Sequence, residues 1–430
     1  MVDTIFAVSS GAPPAAIAVL RVSGAGALAV GEALAGRLPE PRRAGLRRLR
    51  DPASGATLDH ALVLVFPAPA TATGEDLVEF HLHGGRAVVA AVEAVLAARP
   101  GLRRAAPGEF TRRALEAGRI DLAEAEGLGD LLMAETEGQR RAALASAEGA
   151  VSRRIAAWND RLLALAAKVE ALLDFSDEDD VGEDDGAVAT LSSAAGHLAE
   201  EIGAVLDNPP VERLRDGIRV VLAGAPNAGK STLLNALAER DAAIVSPIAG
   251  TTRDRIEAGV VRGGVAYVLT DTAGLAAQTD DPIERIGIDR AREAMGSADI
   301  VLLLDDTPIP SGPAVIALHP RADEPDRAVA PQGRLPVSAR TGQGIAALWQ
   351  AIADAAATLL PRLDQLVLNQ RQREHVAAAQ RAIAAAAIEQ DLLLIAEHYR
   401  AARAALDRVT GASDTEAMLD TLFGRFCIGK

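Results

Sequence analysis

The amino-acid sequence predicts a multidomain protein that combines the α+β and α/β classes: an N-terminal α+β unit, a helical bundle, and an α/β unit inserted into that bundle. Three observations carry this prediction. Strand-like segments dominate residues 1–118. Helical periodicity runs from Asp121 to about Leu206 and resumes beyond about Leu360. Between the helical blocks, a glycine-rich loop separates an apolar run from a helix-like one, and further apolar runs follow it. The expected boundaries are 1–118, 119–210, 211–360 and 361–430.

In the first unit, Thr4 to Val8, Ile17 to Val22, Leu62 to Phe66 and Val78 to Leu82 read as strands, and about Arg86 to Ala98 reads as a helix. The basic stretch Arg42-Arg43, Arg47-Arg48 and Arg50 reads as a solvated loop. His81 and His83 alternate on a strand without a second ligand cluster, which suits packing or polar surface better than a metal. In the helical block, Leu162, Leu165, Ala166, Val169, Leu172 and Leu173 line one helix face. The acidic run Asp174 to Asp185 reads as a solvated turn between helices. Ile395, Tyr399, Ala402 and Leu406 repeat the helical spacing after the insertion.

The chain has 430 residues, 49% of them apolar, which is enough for separate cores in two or three domains. Its net charge of −15 argues against broad, unaided nucleic-acid binding, because that binding needs Lys and Arg against phosphates. A single cysteine excludes an internal disulfide framework and favours the reducing cytoplasm. No basic-then-apolar start and no bilayer-length apolar run are seen.

The inserted unit holds the chemistry. Gly224-Ala225-Pro226-Asn227-Ala228-Gly229-Lys230-Ser231 follows the apolar run Ile218 to Ala223 and opens the helix-like Thr232 to Leu237. In that setting the G-x-x-x-x-G-K-[ST] spacing is a phosphate loop: backbone N–H groups close around phosphate oxygens at a helix N-terminus. Lys230 is expected on the β- and γ-phosphates and Ser231 on Mg²⁺. About twenty residues further, Gly250-Thr251-Thr252-Arg253-Asp254 suits a first switch whose threonine, Thr252, reaches Mg²⁺ and the γ-phosphate. Asp271-Thr272-Ala273-Gly274 directly follows the strand-like Val265 to Thr270; its aspartate can hold Mg²⁺ through water and its glycine N–H can sense the γ-phosphate.

Ser338-Ala339-Arg340, after Leu335 to Val337, is similar to the loop lining the guanine pocket of translation-factor-like GTPases. The Asn-Lys-x-Asp element expected before it is altered. Asp323 stands where the base-reading carboxylate belongs, but Pro320 and Arg321 replace the asparagine and lysine. Residues Asp305 to Pro313, between the strand-like Ile300 to Leu304 and Ala314 to Leu318, also leave too little chain for the usual crossover helix between two parallel strands. GTP is preferred over ATP through Asp323, with weakened selectivity.

These motifs, with Ile248 to Asp254, Glu284-Arg285-Ile286-Gly287, Thr73-Gly74-Glu75-Asp76, His83-Gly84-Gly85, Pro107-Gly108-Glu109-Phe110 and the terminal Phe426-Cys427-Ile428-Gly429-Lys430, resemble the MnmE (TrmE) family of tRNA modification GTPases over nearly the whole chain. The resemblance implies a Ras-like P-loop GTPase domain inserted into a helical domain, behind an N-terminal folate-binding and dimerisation domain. It implies a nucleotide site formed by Asn227, Ala228, Gly229, Lys230, Ser231, Thr232, Ser246, Pro247, Ile248, Ala249, Gly250, Thr251, Thr252, Asp271, Thr272, Ala273, Gly274, Asp323, Ser338, Ala339 and Arg340. Glu284 takes the role of orienting the attacking water beside Lys230 and Thr252, since Leu275 stands where other GTPases place glutamine. K⁺ in place of an arginine finger would be held by Asn227, Ser246, Ile248 and Thr251.

For the N-terminal unit the resemblance implies 5,10-methylene- or 5-formyl-tetrahydrofolate on Arg21, Glu79, Arg119 (a lysine in the family) and Lys430, with Cys427 implicated in the modification. It further implies a homodimer that assembles as a heterotetramer with an MnmG (GidA)-type flavoprotein. Together they would add an aminomethyl-type (carboxymethylaminomethyl) group to C5 of the wobble uridine of tRNA, with the partner supplying much of the tRNA-binding surface. Two other readings stand beside it. A ribosome-assembly GTPase switch would lack the N-terminal motifs and the Cys-Ile-Gly-Lys terminus. A scaffold with a partly decayed G domain would show no K⁺-dependent turnover.

Overall fold

The computed structural model describes residues 3–175, 185–225, 227–239, 257–271, 296–304, 314–411, 422–424, 426 and 429. Two compact units are present. The first is Met1–Gly129, Ser146–Ala156 and Leu406–Lys430; the second is Asp130–Ala145 and Ala157–Ala405.

Alternating apolar residues build the sheet of the first unit. Its strands are β1 (Thr4–Val8), β2 (Ile17–Ser23), β3 (Gly45–Arg50), β4 (Thr57–Phe66), β5 (Leu77–His83) and β6 (Leu102–Arg104), in the order β3-β4-β5-β2-β1-β6. All neighbours are antiparallel except β1 and β6. Phe6, Leu20, Val22, Val63, Val78 and Phe80 face one side and bury against Val30 and Leu34 of helix Ala27–Ala35 and Val89, Val92 and Leu96 of helix Arg86–Ala97. Successive strand residues point to opposite faces, so Arg21 and Glu79, paired in register between β2 and β5, lie on the face away from those helices.

The arginine-rich stretch expected to be a solvated loop is in part the edge strand β3. Leu49 is fully buried and draws the segment onto the sheet, while Arg48 and Arg50 stay in solvent on a charged edge. Alternation carried by one leucine among arginines is too thin to show as a strand pattern.

Polar groups lock the back of this unit. Ser23 Oγ lies 2.7 Å from Thr73 Oγ1 and donates to Glu75 Oε2 at 2.9 Å. The buried Arg113 guanidinium donates to Glu75 at 3.0 Å and to Glu109 at 3.0 Å. Arg103 meets both oxygens of Glu109, at 2.6 and 2.8 Å, and reaches Asp3 at 3.0 Å. The Thr73-to-Asp76 and Pro107-to-Phe110 motifs thus form one ionic cluster. Burial pushes the Glu109 carboxyl up, but hydrogen bonds from Arg103, the Ala106 N–H and Arg113 outweigh it and hold it below the usual range.

The far end of the chain closes on the same unit. Phe423 and Phe426 bury against Ala125, with ring centroids 5.7 Å apart. Gly429 has φ +99, and a Cβ there would stand 2.2 Å from the Val8 carbonyl oxygen, so only glycine fits against the end of β1. Ser9 Oγ donates to the Gly429 carbonyl at 2.8 Å.

The second unit contains a six-stranded sheet in the order β12-β11-β10-β7-β9-β8. Its strands are β7 (Ile218–Ala223), β8 (Glu257–Arg262), β9 (Val265–Asp271), β10 (Ile300–Leu303), β11 (Ala314–Pro320) and β12 (Leu335–Val337). Only β8 and β9 pair antiparallel, across a Gly263-Gly264 turn with φ of 59° and 80° that suits a tight hairpin. β8 has no expectation above; its single fully buried residue, Val260, leaves little pattern. The strands β10 and β11 pair in parallel, Ile300 beside Ala314; residues 305–313, where no crossover helix is expected, lie outside the described ones.

Leu162, Leu165 and Val169 are buried in helix Ala150–Phe175, as are Ile395, Tyr399, Ala402 and Leu406 in helix Leu392–Thr410. Ala166, Leu172 and Leu173, on the flanks of the first stripe, are half-buried. Helices Asp185–Leu206 and Gln370–Ile388 pack antiparallel, with Ser192 hydrogen-bonded to Ala387 at one end and Arg373 Nη2 donating to Leu206 O at 2.6 Å at the other. Among the described residues no helix is long and apolar enough to cross a membrane.

One buried asparagine clasps the two segments that join the sheet to these helices. Asn208 Nδ2 donates to the Arg362 and Leu366 carbonyls at 3.3 and 3.2 Å, and its Oδ1 accepts from Arg362 N at 2.9 Å. Gln139 Nε2 adds bonds at 3.0 Å to the Leu214 and Arg215 carbonyls.

Two outcomes follow from this chemistry. Asn208→Ala leaves backbone groups at Arg362 and Leu366 unpaired and should cost about 1–3 kcal/mol, read as a lower urea midpoint; an unchanged midpoint contradicts the clasp. A depressed carboxyl stabilises the fold above its unfolded value of 4.5 and loses that contribution as pH falls through its folded value. Glu109→Gln should therefore lower stability at neutral pH and flatten its decline below about pH 4.5, measured by denaturation at stepped pH.

Candidate functional site

The phosphate loop sits where β7 ends and helix Lys230–Glu239 begins. Buried strands on either side, β9 and β10, hold β7 in parallel register and fix the origin of the loop. Lys230 is only 5% exposed, and its Nζ donates to the Gly224 and Ala225 carbonyls at 2.8 Å each. A buried ammonium is thereby placed inside the loop, where its charge faces any anion the backbone N–H groups receive. Gly229 accepts from Leu233 N, which starts the helix directly at the loop, while Thr232 is exposed on its first turn.

One strand away, Asp271 ends β9 and is 1% exposed. Its Oδ2 is hydrogen-bonded to Ser231 Oγ. A hydroxyl and a carboxylate brought to one point from two elements form an oxygen donor pair suited to a hard divalent cation, so Ser231 and Asp271 fit Mg²⁺.

The base-reading residues expected at separate places also converge. Ala322 N donates to Val337 O at 3.2 Å and joins the turn after β11 to the end of β12. The hydrogen bond from buried Ser338 holds the exposed Asp323 carboxyl below the usual carboxylate range, with the Arg340 charge assisting. Ala339 packs at the edge of the sheet core. Pro320 does not break this arrangement: it is the last residue of β11, opposite Val337. Arg321, in the altered lysine position, donates through Nη2 to the Asn227 carbonyl. Sequence reading treated Arg321 only as a loss and missed this bond. Its signal was a retained cation beside Asp323, whose reach across the fold only the tertiary structure reveals.

Asn227 is exposed in the loop with φ 61°, and Ala228 and Gly229 follow it half-buried. Ser246, Pro247, Ile248, Ala249, Gly250, Thr251, Thr252, Thr272, Ala273, Gly274 and Glu284 lie outside the described residues, as do Cys427 and Lys430.

In the first unit, Arg21 Nε and Glu79 Oε1 are 2.8 Å apart and form an ion pair with each other. His81 Nε2 lies 3.2 Å from the other Glu79 oxygen. His83 Nδ1 lies 2.7 Å from Asp59 Oδ1. Each histidine therefore shares a carboxylate, His81 that of Glu79 on the open face of the sheet and His83 that of the buried Asp59. Arg119 runs beside the Thr73-to-Asp76 turn: a Cβ on Gly74 would meet its Cγ at 3.6 Å. Gly429 reaches the same sheet at Val8, which pairs with Leu20 next to Arg21.

A family model described as "GTP-binding protein TrmE N-terminus" matches residues 4–119, and one described as "MnmE helical domain" matches residues 122–427. The "tRNA modification GTPase MnmE" of Erythrobacter litoralis (strain HTCC2594) is 58% identical over 429 residues, covering 100% of each chain. The protein of the same name from Novosphingobium aromaticivorans is 54% identical over 438 residues, again 100% of each chain. That of Rhizorhabdus wittichii is 56% identical over 432 residues, covering 100% of this chain and 97% of its own. With family models matching residues 4–119 and 122–427 and full-length identity above one half, the chain belongs to the MnmE (TrmE) family of tRNA modification GTPases.

Proposed function

We propose that this chain is a K⁺-stimulated GTPase that works with an MnmG (GidA)-type flavoprotein to install a carboxymethylaminomethyl-type group on C5 of the wobble uridine of certain tRNAs. The observation that carries the reading is the buried Lys230 ammonium inside a loop whose base side leads to Asp323. In this reading Lys230 holds the β- and γ-phosphates, and Ser231, Asp271 and Thr252 hold Mg²⁺. Mg²⁺, when bound, neutralises phosphate charge. Asp323 accepts the donor edge of guanine beside Ser338, Ala339 and Arg340. Glu284 orients the in-line water. Asn227, Ser246, Ile248 and Thr251 hold the K⁺ that supplies the charge an arginine finger supplies elsewhere. The G domain spans 211–360 between helical segments 119–210 and 361–430, and its GTP cycle drives a conformational change and not the carbon chemistry.

In the N-terminal domain, residues 1–118, Arg21, Glu79, Arg119 and Lys430 bind 5,10-methylene- or 5-formyl-tetrahydrofolate. Support comes from the open-face Arg21–Glu79 pair, which offers a cation and an acceptor side by side, and from Gly429 docked one strand away. Cys427, two residues before Gly429, takes part in the modification. The protein works in the cytoplasm as a homodimer joined through these domains and as a heterotetramer with the flavoprotein, which contributes to tRNA binding.

Lys230→Ala should lower GTP turnover by about 100-fold or more with an unchanged melting temperature; wild-type turnover rejects the phosphate-loop role. Turnover in K⁺ should exceed that in Na⁺ at equal ionic strength, and equal rates discard the K⁺ site. Arg21→Ala and Glu79→Ala should each lose retention of labelled tetrahydrofolate by filter assay, while GTP turnover persists. Nucleoside analysis of tRNA from a deletion strain should show loss of the C5-modified wobble uridine. Restoration by wild type and not by Lys230→Ala ties the modification to GTP hydrolysis.

A further inference from the structure

We infer that the arginine-rich edge of the first unit, residues 37–50, is a docking surface for the phosphate backbone of RNA. The inference rests on the tRNA reading above and deepens it, by naming the face of this chain that touches the substrate. Over that stretch the chain places Arg37, Arg42, Arg43, Arg47, Arg48 and Arg50 against one acid, Glu40, although its net charge is −15. A local excess of cation in an acidic chain is the electrostatic footprint of a polyanionic partner.

Folding does not neutralise these charges. Arg42 Nη2 donates to the Ala70 carbonyl, and its guanidinium lies 5.7 Å from the Phe66 ring centroid. Arg47 donates to the Arg37 and Leu46 carbonyls at 2.7 and 2.9 Å. Arg48 Nε donates to His60 Nε2 at 3.1 Å, and Arg50 Nη1 to the Gly55 carbonyl at 3.2 Å. Every one of these acceptors is uncharged, His60 included, because a ring nitrogen that accepts carries no proton. Arg43 does meet a carboxylate, that of Glu40 at 3.2 Å, but the two side chains are 78% and 75% exposed. A pair so exposed is worth little and gives way to a stronger anion. Each guanidinium also keeps N–H donors beyond those used here, in the forked geometry that suits phosphate oxygens.

The edge is ordered as well as charged. β3 ends its sheet, so one side of its backbone has no partner strand among the described residues. Arg42 N donates to Val65 O at 2.9 Å and buried Leu49 anchors the strand, which fixes the segment at two points. Arg43, Arg48 and Arg50 are exposed on that fixed frame. A row of cations held in place binds a line of phosphates without the ordering cost of a loose loop. Phosphate contacts position an RNA without reading its sequence, which leaves the choice of base to other surfaces. Charge on an edge strand can also serve only to block pairing with another chain, and that role alone gives no effect on RNA.

The test measures binding of a labelled tRNA and of an unrelated duplex RNA to the full-length chain by fluorescence anisotropy over a series of salt concentrations. Wild type is compared with the triple variants Arg43→Ala, Arg48→Ala, Arg50→Ala and Arg43→Lys, Arg48→Lys, Arg50→Lys. Arg42 and Arg47 stay in place because they brace the backbone. The alanine variant should bind both RNAs about tenfold or more weakly at low salt. Its slope of log K against log salt should be shallower by about 2–3, the share of three phosphate contacts. The lysine variant should recover most of that slope, because it keeps the charge. GTP turnover, tetrahydrofolate retention and the urea midpoint should match wild type. Unchanged RNA affinity and slope in the alanine variant overturn the proposal and leave the arginines as edge protection. A loss confined to one of the two RNAs, or no recovery by lysine, overturns it too. So does an absence of RNA binding by the wild type. The tRNA reading itself fails only if the deletion strain keeps its modified wobble uridine, which separates the two failures.

Discussion

A buried ammonium has to be surrounded by oxygen, and the second unit is organised around that demand. Lys230 can stay 5% exposed because two carbonyls of its own loop accept its protons. Those carbonyls are in place because β7 is clamped between β9 and β10, with Val220, Leu222, Leu269 and Leu302 burying the sheet behind them. The same clamp brings Asp271 to Ser231, since Leu222 and Asp271 are register partners. Hydrophobic packing thus supplies the rigidity, and a polar loop at the strand ends holds charge where an open α/β sheet places its ligands.

The first unit solves a different problem with similar means. Its sheet buries one face and leaves Arg21, Glu79, His81 and His83 on the other, paired as ions and hydrogen bonds. At its back, Arg113 is buried but meets Glu75 and Glu109, so the cation is compensated and not stranded. Gly429 then brings the far end of the chain against β1, because a glycine can approach the Val8 carbonyl as no other residue can. Motifs separated by hundreds of positions in the chain become parts of one surface.

Much of this was legible in the residues. Five apolar runs of the inserted unit became β7, β9, β10, β11 and β12, because buried parallel strands need continuous apolar segments. The loop from Gly224 to Ser231 fell between a strand and a helix as its spacing required. β3 and β8 escaped because each rests on one fully buried side chain, Leu49 or Val260, and on pairing with a neighbour found elsewhere in the chain. The ionic cluster of Glu75, Glu109 and Arg113 was visible as motifs but not as a cluster, since a motif shows which residues are present and not what they touch.

By itself the sequence determined the class of most segments, the phosphate-loop chemistry and the likeness to a family, because hydrophobic periodicity and motif spacing are local properties. Only the tertiary structure decided that Arg321 reaches Asn227, that Asp323 meets Ser338, and that the terminal Gly429 closes on Val8. These contacts join residues far apart along the chain. Their partners are chosen by the packing of whole sheets and helices, which no short stretch of residues encodes.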